Sequence, residues 1–108
     1  TEIEFDNFIK NRLMHERIFV FTPKGEVVEL PKDACPIDFA YAIHSDIGHH
    51  ANGAKINQKM SSLDSKLREG DVVEIITNKN SHPTSKWLDF VKTTDARRHI
   101  KSYLLTKD

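Results

Sequence analysis

The chain has 108 residues, 38% of them hydrophobic and 30% charged, and its 16 basic and 16 acidic residues cancel to a formal net charge of zero. That length suits one domain with a short appendage and is too small for two catalytic domains. No apolar run approaches the roughly 20 residues of a membrane-spanning helix, and no basic-then-apolar leader opens the sequence. Residues 3–16 place Ile3, Phe5, Phe8, Ile9 and Leu13 at helical spacing, so a short helix or linker is expected over 1–16. Ile18 to Thr22 is β-branched and aromatic, Pro23-Lys24-Gly25 supplies a turn, and Glu26 to Leu30 returns, which predicts a β-hairpin. Pro36 suits the first turn of a helix running to about Ser45. On its wheel Phe39, Ile43, Ala40, His44, Ile37 and Tyr41 share one arc, with Asp38, Ala42 and Ser45 opposite. Asp38 there favours the helix dipole. Gly48 and Gly53 bracket a polar loop. Short strands are expected at 54–57 and 62–63, and Val72 to Thr77 is the most apolar strand.

Strand, strand, helix, short strands and strand in about 60 residues is the β-grasp (ubiquitin-like) arrangement, an α+β fold with one helix across a mixed sheet. Its last strand should pair parallel to the first and lie buried between neighbours. Residues 17–78 would form this domain. Residues 79–108 would form a polar linker and a C-terminal helical extension. In that extension Trp87 and Phe90 read as an anchor. A helix begins at Thr94, whose hydroxyl would cap it, with Ala96, Ile100, Tyr103 and Leu104 on one stripe and Arg97, Arg98 and Lys101 on the other.

The neutral total conceals a gradient. Residues 1–17 hold 3 basic and 4 acidic groups, residues 18–77 hold 6 and 9, and residues 78–108 hold 7 and 3. A protein that grips nucleic acid by phosphate neutralisation is basic over its binding face. Contact with nucleic acid in the acidic centre must therefore be local and shape-specific. Starting at Thr1 rather than Met, the chain reads as a piece of something larger. A single cysteine, Cys35, cannot form an internal disulfide and points to a reducing, cytoplasmic setting.

No catalytic constellation emerges: there is no Gly-rich phosphate loop and no carboxylate pair. Cys35 at a helix entrance has a position that could lower its pKa, although a small residue filling the cap is the favoured reading. Around the helix end stand His44, His49 and His50. Asp46 could add a fourth ligand to these three, but imidazoles alone rarely close a structural metal site and no second cluster pairs with them, so metal is the disfavoured reading. By spacing, His44 reads first as a packed histidine bonded to a carbonyl. Ligand contact is the competitor, because the acid-free stretch 47–63 carries His49, His50, Lys55 and Lys59. Imidazoles stack on unpaired bases and lysines meet phosphates. Arg97, Arg98 and Lys101 form either a solvated face or a contact to an RNA backbone.

Read together, Arg17-Ile18-Phe19-Val20-Phe21-Thr22-Pro23-Lys24-Gly25, the run from Asp38 to His49, Gly53-Ala54-Lys55-Ile56 and Gly70 to Thr77 resemble the TGS domain of RelA/SpoT proteins. The stretch from Trp87 to Arg97 resembles the segment C-terminal to that domain in the same family. The likeness covers about residues 17–105. It implies a β-grasp fold and a regulatory, non-catalytic part of a guanosine tetra- and pentaphosphate synthetase or hydrolase. The implied partners are the unpaired 3′ CCA end of uncharged tRNA and the ribosome; from the residues themselves no cofactor, metal or membrane is expected. The family's histidine at the helix end is a tRNA contact, and that position is His44, which tips its reading toward ligand contact. His49, His50 and Lys55 are carried as neighbours, and Lys59, Arg97, Arg98 and Lys101 as candidates for RNA or protein contact. The adjacent His-Asp pair of the family's hydrolase site does not occur, so the fragment itself is expected to be inactive. Cys35 departs from the Ser or Thr common in relatives at the cap. The competing function is a docking module for acyl carrier protein or another regulator, which an acidic partner on Lys55 and Lys59 would favour. A ubiquitin-like modifier is not expected, because the sequence carries no Gly-Gly terminus.

Overall fold

A computed structural model describes residues 16–106, so the lead-in helix expected over 3–16 lies outside the described residues except at Glu16. The elements run β1 (Arg17–Phe21), β2 (Val27–Pro31), α1 (Pro36–Ile43), α2 (Ser45–His49), β3 (Ala51–Ile56), β4 (Lys59–Ser61), β5 (Val73–Thr77), a 3-10 turn (Ser85–Asp89) and α3 (Thr94–Thr106). None of these helices is long and apolar enough to cross a membrane.

The first hairpin closes as its sequence dictates. β1 and β2 pair antiparallel from Arg17↔Pro31 to Phe21↔Val27, and Gly25 takes the turn at φ +89°. Period two then sends Ile18, Val20 and Leu30 inward and leaves Phe19 and Val27 exposed. The second hairpin differs from expectation. β3 begins at Ala51 and β4 ends at Ser61, so no strand covers 62–63. Asn57 and Gln58, both at positive φ, form a two-residue turn between paired Ile56 and Lys59. Turns of this kind require left-handed backbone at both central positions, which asparagine tolerates.

The expected parallel pairing of the last strand with the first shrinks to one bridge, Phe21↔Val72. Phe21 N–H donates to the Asp71 carbonyl at the bridge, and Gly70 N–H to the Phe19 carbonyl just before it, each at 2.8 Å. β5 proper pairs antiparallel with β3. Read across the bridge, the strand order is β2-β1-β5-β3-β4, the β-grasp order. β5 is not buried between neighbours as its apolar run predicts: Val73 is buried, but Ile75 and Ile76 are half-buried and Glu74 is exposed. Past Val72 the hairpin turn diverges from β5, and the strand loses its cover.

α1 is buried more widely than an amphipathic helix on a sheet. Phe39 enters one core with Val20, Leu30 and Val73, facing the sheet. Ile37, Ala40 and Tyr41 enter a second core with Trp87, Val91, Ala96 and Ile100. The C-terminal segment thus packs on the far side of α1, with Trp87 as its anchor. Ala42 faces solvent as expected, but the layering corrects the rest of the wheel: Asp38, expected opposite the apolar arc, is 1% exposed, while Ile43 and His44, expected on that arc, face solvent.

Asp38 survives burial because it is fully engaged. Its carboxylate accepts from Cys35 N–H (3.1 Å), Lys92 N–H (2.9 Å), Thr93 N–H (2.9 Å) and Thr93 Oγ1 (2.9 Å). Thr93 Oγ1 in turn accepts from Ala96 N–H at 3.1 Å. The hydroxyl that caps α3 is therefore Thr93's, one residue before the expected Thr94.

The helix entrance does not activate Cys35. Burial first, then the charge of Asp38 beside it, push the thiol up to about 12. At pH 8 only about one such thiol in ten thousand would be ionised. Native protein should therefore resist iodoacetamide at pH 8 and react at an ordinary rate only in denaturant. Comparable labelling rates with and without denaturant would contradict this burial.

Candidate nucleic-acid interface

His44 sits where one helix hands over to the next. Its extended backbone (φ −168°, ψ 146°) ends α1 at Ile43, two residues earlier than expected, and starts α2. His44 N–H still donates to the Ala40 carbonyl, and its own carbonyl accepts from Gly48 N–H, each at 3.1 Å. The ring is the N-cap of α2: Nδ1 accepts from Asp46 N–H at 3.0 Å, with an Asp46 carboxylate oxygen 3.8 Å away. The packed reading is thus corrected. Among the described residues the ring binds no carbonyl, and 63% of the side chain is exposed. With Nδ1 occupied as acceptor, the neutral ring carries its proton on Nε2, the atom left for an incoming acceptor.

Beside this joint a cleft of about 380 Å³ opens between the β1–β2 turn and β5. Phe39, Ile43, Ile47 and Ile75 make it largely apolar, and Lys24 and Glu74 stand among its lining residues. It exists because the hairpin and β5 part after the Phe21–Val72 bridge. Ile43, expected only on the apolar arc of the helix, and Ile47, not among the candidate site residues, flank His44 in the chain. Their spacing of four, across a helix break, was the available signal.

The remaining candidates do not converge on His44. Among the described residues no hydrogen bond or ring contact joins it to His49, His50 or Lys55. His49 points into a ring stack instead: Tyr41 Oη lies 3.1 Å from its Nδ1, and the Tyr103 ring is 5.4 Å away. Burial, then His99 and His50, lower His49 from its ordinary 6.5, against a smaller upward pull from Asp46. Burial also raises the Tyr41 phenol. His50 Nδ1–H donates to the Ser81 carbonyl at 3.1 Å. Lys55 stands across the ladder from Glu74, its charge faced by an acid, and Lys59 is exposed at the β3–β4 turn.

On α3 the basic stripe is partly spent. Arg97 is structural, donating to the Leu88 and Val91 carbonyls at 3.2 Å, which ties α3 to the 3-10 turn. Arg98 pairs with Asp95 at 3.0 Å, and Lys101 is exposed. No group of three or more His, Cys, Asp or Glu among the described residues is arranged to hold a metal ion.

The family model for the TGS domain matches residues 18–77. The chain is 52% identical over 96 residues to a guanosine-3′,5′-bis(diphosphate) 3′-pyrophosphohydrolase of Aquifex aeolicus, covering 89% of this chain and 14% of that protein. It is 47% identical over 100 residues to a probable enzyme of the same name from Synechocystis, covering 93% and 13%. To the bifunctional (p)ppGpp synthase/hydrolase SpoT of Escherichia coli it is 43% identical over 104 residues, covering 96% and 15%. The chain thus spans about a seventh of the length of these curated relatives.

The joint can be tested without a ligand. Gly48 is buried, and a methyl there would overlap the Tyr41 ring. Gly48→Ala should cost about 1–3 kcal/mol in denaturant unfolding, as overpacking does. It should also move the His44 and His49 ring resonances. Wild-type stability in the variant would mean that α2 does not depend on this close approach.

Proposed function

Since the chain belongs to the TGS domains of the RelA/SpoT family, we propose that it is the sensing part of a guanosine tetra- and pentaphosphate synthetase or hydrolase. In this reading it binds the unpaired 3′ CCA end of uncharged tRNA at the ribosome and relays starvation to catalytic domains elsewhere in the parent protein. The observation that carries the reading is His44. Its ring is exposed and locked in one orientation by Asp46 N–H, beside an apolar cleft.

A free RNA end asks for what this surface offers. Unpaired bases are held by stacking and edge hydrogen bonds rather than by bulk positive charge. The 18–77 unit, with 6 basic and 9 acidic residues, is suited to that kind of contact and ill suited to gripping a duplex. Discrimination rests on the same chemistry. An aminoacyl ester on the terminal ribose removes a hydroxyl donor and adds bulk, and a confined site rejects both.

The test is an NMR titration of the chain with a short RNA ending in CCA, with a 3′-blocked RNA and the His44→Glu variant as controls. Shifts should gather on Ile43, His44, Ile47 and the Thr22–Lys24 turn, and both controls should weaken binding at least about tenfold, the value of one good hydrogen bond to a charged or polar partner. Shifts confined to Lys59 and Lys101, insensitive to His44, would overturn the reading. An absence of shifts, with acyl carrier protein binding instead, would favour the protein-docking alternative.

A further inference from the structure

The rings that the candidate RNA site does not use form a structure of their own. His49 on α2 contacts Tyr41 of α1 edge-on at 5.4 Å and His99 of α3 at 6.2 Å. Tyr41 and His99 stack almost parallel, 2° between planes and 5.6 Å between centres. Tyr103 of α3 packs on His49 at 5.4 Å and on His82 of the linker at 5.9 Å, and His82 reaches His50 at 6.3 Å. The stack therefore lies along the seam where α3 meets α1 and α2. It joins segments from both halves of the chain, and most of its members are histidines.

Such a seam tolerates neutral imidazoles and resists charged ones. The groups facing His49 are Tyr41 from α1, Asp46 and His50 from its own helix and the residue after it, and His99 and Tyr103 from α3. Among the described residues Asp46 is the one acidic neighbour acting on it, and its pull is the smallest of those that count. A neutral His49 with its proton on Nε2 accepts the Tyr41 O–H at Nδ1. A second proton on the ring destroys that acceptor and places a positive charge against two other imidazoles.

We propose that this ring stack is a proton-sensitive latch, which holds α3 against α1 and α2 while His49 is neutral and lets go when His49 is protonated. The sign is set by linkage. Released, His49 returns toward its ordinary 6.5, whereas in the stack burial and its neighbours hold it lower. Docking is therefore at full strength above about 6.5 and weakens as pH falls through the lower docked value. Between those limits the ratio of docked to released helix should change by up to about tenfold per pH unit for one proton. The latch concerns the C-terminal helix alone and stands whether or not His44 binds RNA.

The experiment is an NMR pH series on the whole chain from 8 to 5 at fixed ionic strength. The His49 ring should titrate below 6.5, and protection of the Ile100–Leu104 amides should fall with it while the Ala54 and Ile75 amides hold. His49→Gln should flatten the dependence. His99→Gln, which removes a repulsive neighbour, should move the His49 midpoint up toward 6.5, an effect that a purely packing role would not produce. The proposal is overturned if α3 protection is the same at pH 7.5 and 5.5, or if the sheet amides lose protection equally. It fails too if the His49 midpoint ignores His99→Gln; these wild-type and His99→Gln readouts decide the matter even if His49→Gln does not fold.

Discussion

The Asp38 carboxylate is 1% exposed in the first turn of α1, and its hydrogen bonds come from that turn and from the start of α3, 54 and 55 residues further on. Burying a carboxylate is costly unless its oxygens are well supplied with donors. Here backbone N–H groups at Cys35, Lys92 and Thr93 supply them, together with a threonine hydroxyl that caps α3. One side chain thus starts one helix, fixes the entry of another and sets the distance between them. The apolar seam of Ile37, Ala40, Trp87 and Ile100 closes at that spacing.

The rest of the surface is shaped by α1 being held on both sides. With the sheet below and α3 behind, its exposed end is the Ala42–His44 corner. There the chain breaks helical geometry at His44 and re-enters a short helix under the Tyr41 ring, against which Gly48 leaves room for nothing larger. His44 is consequently presented outward, whereas His49, five residues on, turns inward to the α3 seam. Two histidines that look alike in sequence acquire opposite roles, one available to a ligand and one bound into the packing. The cleft beside His44 has a separate origin, the parting of the first hairpin from β5 after a single bridge.

Local signals are legible in the sequence and long-range ones are not. The Pro23-Lys24-Gly25 turn, Pro36 at a helix start, the apolar run of β5 and the α3 boundary at Thr94 are written within a few residues of where they act, and the β-grasp order is built from them. Asp38 reads as a solvent-side residue because its partners at Lys92 and Thr93 lie beyond any helical or strand period. The β3–β4 turn escapes notice although Asn57 is its local mark, since Gln58 is an unusual companion at positive φ. Arg97 looks free on a basic stripe because nothing in its spacing shows that the Leu88 and Val91 carbonyls await it. His44 is located through family resemblance, and its exposure comes from a helix break that its neighbours' propensities do not announce.

If Asp38 fastens the two halves, replacing it with its isostere should free the C-terminal helix before it disturbs the sheet. Native-state hydrogen exchange on the wild-type chain and on Asp38→Asn, at a pH where the fold is stable, reads both regions at once. The amide group in the variant turns a donor toward the Lys92 and Thr93 N–H groups. Protection at Ile100 and Leu104 should then fall about ten- to hundredfold, the size expected for losing hydrogen bonds to a charged acceptor. Ala54 and Ile75, in the β3–β5 ladder, should change far less. Equal protection of α3 in both proteins would show that the apolar seam holds the helix unaided and would contradict the account.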